Sequence, residues 1–252
     1  MGLLYDKQQL DEQLEILPKW QQEAFQSFSS MIADTNTYPC VPARQGFLAN
    51  HLRFLFAGDP NKESTVKQLA DALREYSDCS RNAGNYTSLA VFFQTSKEIR
   101  NRYAEADYRE LFWSILNHVT AFDEAAWPKD IPTDPAHHKW EFCFHGEPYF
   151  AFCATPAHHQ RKSRHFPFFL MAFQPRWVFA EMNESTAFGR KMKSIIRKRL
   201  TDYDGIPGHP DLKWYGQEDN HEWKQYFLND DDTSPNNCPF QRMKSKLTTF
   251  FK

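Results

Sequence analysis

The sequence has no CxxC pair, and its five cysteines stand far apart at positions 40, 79, 143, 153 and 238. Structural zinc sites need closely spaced thiols and disulfide scaffolds need a dense, even set, so neither organises this chain. CxxCH is missing too, which excludes covalent haem attachment through paired thioethers. No stretch reaches the roughly 20 apolar residues of a membrane helix. The opening MGLLYDKQQLDEQ lacks a basic region followed by an apolar one, so it does not read as a signal peptide. Asp6 breaks the myristoylation pattern that Gly2 begins. Charges nearly cancel, 30 Lys and Arg against 32 Asp and Glu, so no overall field recruits nucleic acid or an anionic membrane. Gly-rich dinucleotide loops, a GxSxG elbow and internal repeats are also absent. These absences lead to the expectation of a cytoplasmic globular protein with neither nucleic acid nor membrane as a partner.

Aromatic residues are abundant, with 23 Phe, 7 Trp and 10 Tyr in 252 residues. They imply an aromatic interior that can also line a pocket for a planar ligand. The length suits one domain over 1–252, opening with a helical segment over 1–36. Apolar spacing through Leu10, Leu14, Ile16, Trp20, Phe25, Phe28 and Ile32 predicts helix over 6–34, broken or kinked at Pro18. Helices are further expected over 64–76 with Ser64 as N-cap, 106–122, 184–203 and, briefly, 222–228. Residues 45–56 read equally as helix or strand. Strands are expected at 87–94, 141–144, 149–154 and 166–173, and the short links among the last three favour antiparallel pairing. The fold class is therefore α+β: a central, mainly antiparallel sheet from 86–94 and 140–174, covered by helices. WPKDIPTDP reads as ordered cover, because Trp127 wants burial.

Chemistry-bearing residues gather in a few places. The insert between two apolar strand runs holds His158, His159, Arg161, Lys162, Ser163, Arg164 and His165. A dense cationic and imidazole cluster on a loop between core strands is a natural place for function. Cys40 stands between Pro39 and Pro42, followed by Arg44 and Arg53. Nearby cations lower a thiol pKa and make a thiolate, whereas the bland reading is a small buried hydrophobe. His137, His138 and His145 flank Trp140 without metal-ligand spacing and read as surface loop. Ser163 beside His158 and His159 lacks a nucleophile turn, and spacing alone does not bring Cys40 to His51. The basic helix over 184–203 is either a solvated face or a binder of acidic groups.

Several stretches carry a family resemblance. YPCVPARQGF, TPAHHQRKSRH, FQPRWVF, YDGIPGHPDLKWYG, EWKQYFL and CPF occur in this order from about residue 38 to 240. Together they resemble the YqcI/YcgG family. The resemblance implies a haem-dependent N-oxygenase that inserts oxygen into an N–H bond of a small amine, guanidine or aminoimidazole, in natural-product biosynthesis. It implies haem b, with O2 and external electrons or H2O2 as oxidant. Since no dinucleotide fingerprint is present, a reductase would be a separate protein. His158 matches the histidine of the family motif and is the expected iron ligand. Cys40 competes with it, because thiolate donation favours O–O cleavage, and His209 or His165 remain further options. Cys40, Arg44, Arg53, Arg161, Arg164 and Arg176 form the expected cofactor-binding set; the arginines either pair with propionates or anchor loops. Glu141, Glu147 and Glu222 are the carboxylates expected to receive a basic nitrogen substrate. A non-catalytic haem-binding or sensing protein would use the same residues, and helix 184–203 leaves open a nucleic-acid or partner-binding module.

Overall fold

A computed structural model describes residues 2–34, 37–180 and 182–243. Two largely apolar strands form its centre, β2 (Arg53–Ala57) and β3 (Leu89–Phe93). They pair in parallel from Arg53 opposite Leu89 to Ala57 opposite Phe93. Parallel neighbours need a long crossover, and the 21-residue helix α4 (Glu63–Ala83) supplies it. β6 (Leu170–Pro175) lies antiparallel to β3, β5 (Glu147–Ala154) to β6, and β4 (Phe142–Phe144) to β5. The β4–β5 hairpin turns at His145 and Gly146, both at positive φ, as a two-residue primed turn demands. A two-residue strand, β1 (Tyr5–Asp6), closes the other edge against β2, giving the order β1-β2-β3-β6-β5-β4.

Strand alternation sends side chains to two separate cores. Leu55, Ala57, Val91, Phe93, Ala151, Cys153, Met171 and Phe173 face α4 and α6 (Glu105–Val119). Phe54, Phe56, Ala90, Phe92 and Leu170 face α1 (Lys7–Gln13), α2 (Lys19–Ala33) and α3 (Val41–Leu48). Phe28 of α2 anchors this second core, meeting Phe47, Phe54 and Phe92 edge-on at 5.5–5.9 Å between ring centres. A short helix, α5 (Lys97–Arg102), capped by Ser96, leads into α6. The helix α7 (Ala187–Asp204) covers Phe152 and Gln174 across a cavity.

The expected α+β class with a mainly antiparallel sheet is observed, with β1 and the parallel β2 added at one side. The ambiguous 45–56 stretch divides into the end of α3 and the start of β2. Pro42 sits inside the first turn of α3, where its missing N–H costs nothing, and Cys40 is the extended residue that precedes the helix. The N-terminal helices break at Pro18 as expected, and residues 35 and 36 of that segment lie outside the described residues. Ser64 is not an N-cap: α4 begins at Glu63 after the turn at Asp59 and Asn61, and Lys62 holds the cap position. β6 starts only at Leu170, because Phe166 and Phe169 direct their N–H groups to Thr155 and Thr95 rather than to a neighbouring strand. The expected 222–228 helix is a single 3-10 turn over Glu222–Gln225. Trp127 is half-buried, its indole N–H donating to the Ile131 carbonyl at 2.8 Å. Among the described residues no helix is long and apolar enough to cross a membrane.

Candidate functional site

The 155–165 loop is tied down at nearly every polar group. The Leu228 carbonyl can only accept, so His158 Nε2 carries the proton and donates to it at 2.9 Å. His158 Nδ1 then accepts from the Thr155 hydroxyl at 2.8 Å. Burial pushes the His158 pKa down to about 4, so the ring is neutral. Asp230 receives the main-chain N–H groups of His159, Gln160 and Arg161. Burial opposes its charge, yet these three bonds hold its carboxyl below the usual range.

Both motif arginines are buried and directed at the main chain. Arg161 donates to the carbonyls of Asn229 and Pro207 and pairs with Asp232 at 2.8 Å. Arg164 donates to the carbonyls of Cys153, Tyr226 and Gln225, lying 4.3 Å over the Phe152 ring. Ser163 bonds Asp204 through its N–H and its hydroxyl. The loop thereby fastens β5 to the 204–232 region. His158, His159, Lys162 and His165 border an open cleft of about 430 Å³ that shares no lining residue with the cavity described next.

That cavity, of about 580 Å³, lies between the sheet and α7. Cys40 comes from the start of α3, Phe150 and Phe152 from β5, and Gln174 from β6. Arg176, Trp177 and Phe179 come from the turn after β6, Met192, Lys193 and Ile196 from α7, and Trp214, Tyr215 and Glu222 from the closing segment. A smaller pocket of about 100 Å³ shares Cys40, Phe152, Ile196 and Leu212 with it and has Arg161 and Arg164 on its wall. Cys40 therefore stands where the two meet. Burial pushes its thiol pKa up, with only a weak opposing bond from the Ala43 backbone. The expected lowering by Arg44 and Arg53 does not occur. Arg44 turns toward the Ala33 carbonyl at 3.5 Å, and Arg53 donates to the carbonyls of Asn50 and Leu52.

At one wall, residues distant in sequence form a buried ionic cluster. Arg176 Nε donates to Glu141 Oε2 at 2.8 Å, while Nη2 pairs with Glu141 Oε1 and, at 3.0 Å, with Glu222 Oε1. Asn220 donates to Glu222 Oε2, and Gln225 donates to Asn220. The guanidinium lies 3.7 Å from the centre of the Tyr215 ring. Glu141 just before β4, Arg176 just after β6 and Glu222 at a 3-10 turn are brought together by the sheet edge. Glu141 is 0% exposed, so a full carboxylate sits in the interior with one guanidinium shared between it and Glu222. Two carboxylates against one guanidinium leave the cluster one formal negative charge.

Glu147 is elsewhere, 3.5 Å from Arg81. His209 is buried and its Nδ1 accepts from the Asp211 N–H, while His165 Nδ1 donates to the His158 carbonyl. His137 and His138 stack on one another at 4.4 Å, away from the cavity lining. Among the described residues no group of three or more His, Cys, Asp or Glu is placed to hold a bare metal ion. Of the residues singled out from sequence, the fold unites Cys40, Arg176 and Glu222 at one cavity with Glu141 behind, and sets His158 apart. Sequence reasoning missed Trp177 and Tyr215, and had Lys193 only as one of several cations on the basic helix over 184–203. Trp177 and Tyr215 lie in the FQPRWVF and YDGIPGHPDLKWYG stretches, while Lys193 is indistinguishable in sequence from the solvated cations around it.

Comparison with known proteins agrees with the motifs. The YqcI/YcgG family pattern matches residues 28–241, and the chain belongs to this family. It is 51% identical over 243 residues to "Uncharacterized protein YcgG" of Bacillus subtilis (strain 168), covering 96% of each chain. It is also 51% identical over 246 residues to "Uncharacterized protein YqcI" of the same organism, covering 97% of each. A third relative, "Putative N(omega)-hydroxy-L-arginine synthase DcsA" of Streptomyces lavendulae, is 31% identical over 228 residues, 88% of this chain and 84% of its own. No solved structure matches the chain.

Proposed function

We propose that this YqcI/YcgG family member is a haem-dependent N-oxygenase acting on a small, basic nitrogen compound. The observation that carries the reading is the 580 Å³ cavity, whose wall combines aromatic side chains, a half-buried thiol and a carboxylate-rich cluster. The name of the relative, "Putative N(omega)-hydroxy-L-arginine synthase DcsA", supports the reaction class. The net reaction converts N–H, O2, two electrons and two protons to N–OH and water, or N–H and H2O2 to N–OH and water. The electrons of the first route come from a separate reductase, since the chain has no dinucleotide fingerprint.

The residues present fit a haem. Phe150, Phe152, Trp177 and Ile196 offer apolar walls for a planar macrocycle, and Lys193 offers a cation. We assign the iron ligand to Cys40 rather than His158. Both His158 nitrogens are already bonded, and that ring borders a different cleft. Cys40 borders the cavity, and its thiol is raised by burial, so an iron ion would supply the positive charge that the protein around it lacks. A bound haem supplies the oxidising chemistry. The protein's own part is to hold and orient the substrate: Glu222, oriented by Asn220 and Arg176, accepts hydrogen bonds from a cationic amine or guanidine. Tyr215 and the aromatic walls exclude water from the reacting N–H.

The test is an absorption spectrum of protein expressed with haem supply, in the ferric and ferrous–CO forms, for wild type, Cys40→Ala and His158→Ala. The expected result is a strong Soret band and a red-shifted ferrous–CO band that only Cys40→Ala abolishes. Product analysis with guanidine and amine substrates then reads N–OH formation. Well-folded, haem-supplied protein without a Soret band would end the haem reading, and haem without turnover would leave a haem-binding or sensing protein.

A further inference from the structure

Two hydrogen-bond donors at the cavity have no acceptor in the protein. Lys193 Nζ and Trp177 Nε1 are shielded from solvent and make no hydrogen bond among the described residues. Both residues line the cavity. Burying a donor without an acceptor is costly, and burying an unpaired charge costs more. Lys193 rests 3.8 Å over the Trp214 ring, which steadies the ammonium but offers no lone pair. Burial, with Arg197 adding to it, pushes its pKa down to about 8. The nearest acids are already engaged, Glu222 with Arg176 and Asn220, and Glu184 with Gln217. The wall thus lacks one anionic, multiply accepting group, which describes a carboxylate.

We propose that Lys193 and Trp177 form a carboxylate subsite for the occupant of this cavity. The proposal rests on the reading that the cavity is the working site. Lys193 supplies the charge and Trp177 the directional N–H. With Glu222 also lining it, the cavity holds complements to both the carboxylate and the cationic group of a basic α-amino acid. A haem propionate presents the same chemistry, so the carboxylate can come from substrate or cofactor.

The experiment uses the full chain as wild type, Lys193→Met, Lys193→Arg and Trp177→Phe, with thermal melts to establish folding. One arm titrates L-arginine and agmatine, which differ by the carboxylate, by calorimetry on haem-free and haem-loaded protein. The other titrates haemin and haemin dimethyl ester, which differ by propionate charge, by Soret absorbance. If the carboxylate is the substrate's, wild type prefers L-arginine over agmatine by about tenfold or more, the scale of one charge-assisted hydrogen bond. Lys193→Met then erases the preference, Lys193→Arg restores it, Trp177→Phe reduces it, and haemin binding is unchanged. If it is a propionate, the same pattern appears in the haemin-to-ester ratio and not with arginine. The proposal is overturned if folded Lys193→Met leaves both ratios as in wild type, or if wild type shows neither preference. Failure of the N-oxygenase reading would appear separately, as missing N–OH product or missing haem while haem-free protein still binds L-arginine through Lys193.

Discussion

The Nε2–H of His158 points at the main-chain carbonyl of Leu228, 2.9 Å away, and so joins the start of the 155–165 loop to the segment that closes the opposite side of the fold. This ring is a structural tie. Its behaviour toward acid follows from that.

Burial lowers the folded-state pKa of His158 from 6.5 to about 4. Between these values the unfolded chain binds the proton and the folded one does not, so stability is lost as pH falls through the window. The loss is on the order of 3 kcal/mol, from about 1.4 kcal/mol per pKa unit. Urea unfolding at pH 7.5 and 4.5 should show a steeper decline for wild type than for His158→Gln. Equal declines would mean that the ring is not held neutral.

Tyr226 is placed for a cleaner measurement. Its hydroxyl accepts from the Phe142 N–H at 3.1 Å and donates to the Tyr149 carbonyl at 3.0 Å, fully buried. Tyr226→Phe keeps the ring and removes one buried hydrogen bond to the Phe142 N–H and one to the Tyr149 carbonyl. It should cost about 1–3 kcal/mol in denaturant unfolding.

Arg176 neutralises a carboxylate that has no access to water. Arg176→Met strands Glu141 and Glu222 and should cost about 3–5 kcal/mol, the penalty of an uncompensated buried charge. Adding Glu141→Gln to Arg176→Met should recover part of that loss, because one of the stranded charges is removed. Glu222→Gln alone should fold with a small loss, since Arg176 still pairs with Glu141. Its signature is weaker binding of a cationic substrate, by roughly tenfold, measured by calorimetry.

Gly46 decides how closely α3 approaches the chain before β3. A Cβ there would collide with the Tyr86 main-chain carbonyl. Alanine gains about 1 kcal/mol in helix propensity, but the collision displaces α3 and, with it, Cys40. Gly46→Ala should therefore be net destabilising, by about 1–3 kcal/mol. A rise in melting temperature would show that α3 has room to yield.

Much of this architecture could be read from sequence because it rests on local patterning. Helical apolar spacing gave α2, α4 and α6, alternation and short links gave the antiparallel strands, and long motifs gave the family. β1 escaped notice because two residues carry no periodicity, and β2 stayed open between helix and strand because its apolar run follows α3 after a short link. The parallel pairing of β2 with β3 is a consequence of where α4 crosses, which no local pattern encodes.

At the site, residue types and motif positions were determined by the sequence: a cysteine between prolines, carboxylates and arginines in unusual stretches, imidazoles on one loop. Tertiary structure alone decided their roles. It directed Arg161 and Arg164 to main-chain carbonyls and enclosed His158 between two hydrogen bonds. It also drew Glu141, Arg176 and Glu222, as much as 81 positions apart, into one buried cluster beside the cavity that Cys40 borders. The physical reason is that a side chain's chemistry depends on its desolvation and its partners. Both are fixed by which distant segments the sheet and α7 bring together, and spacing along the chain carries neither.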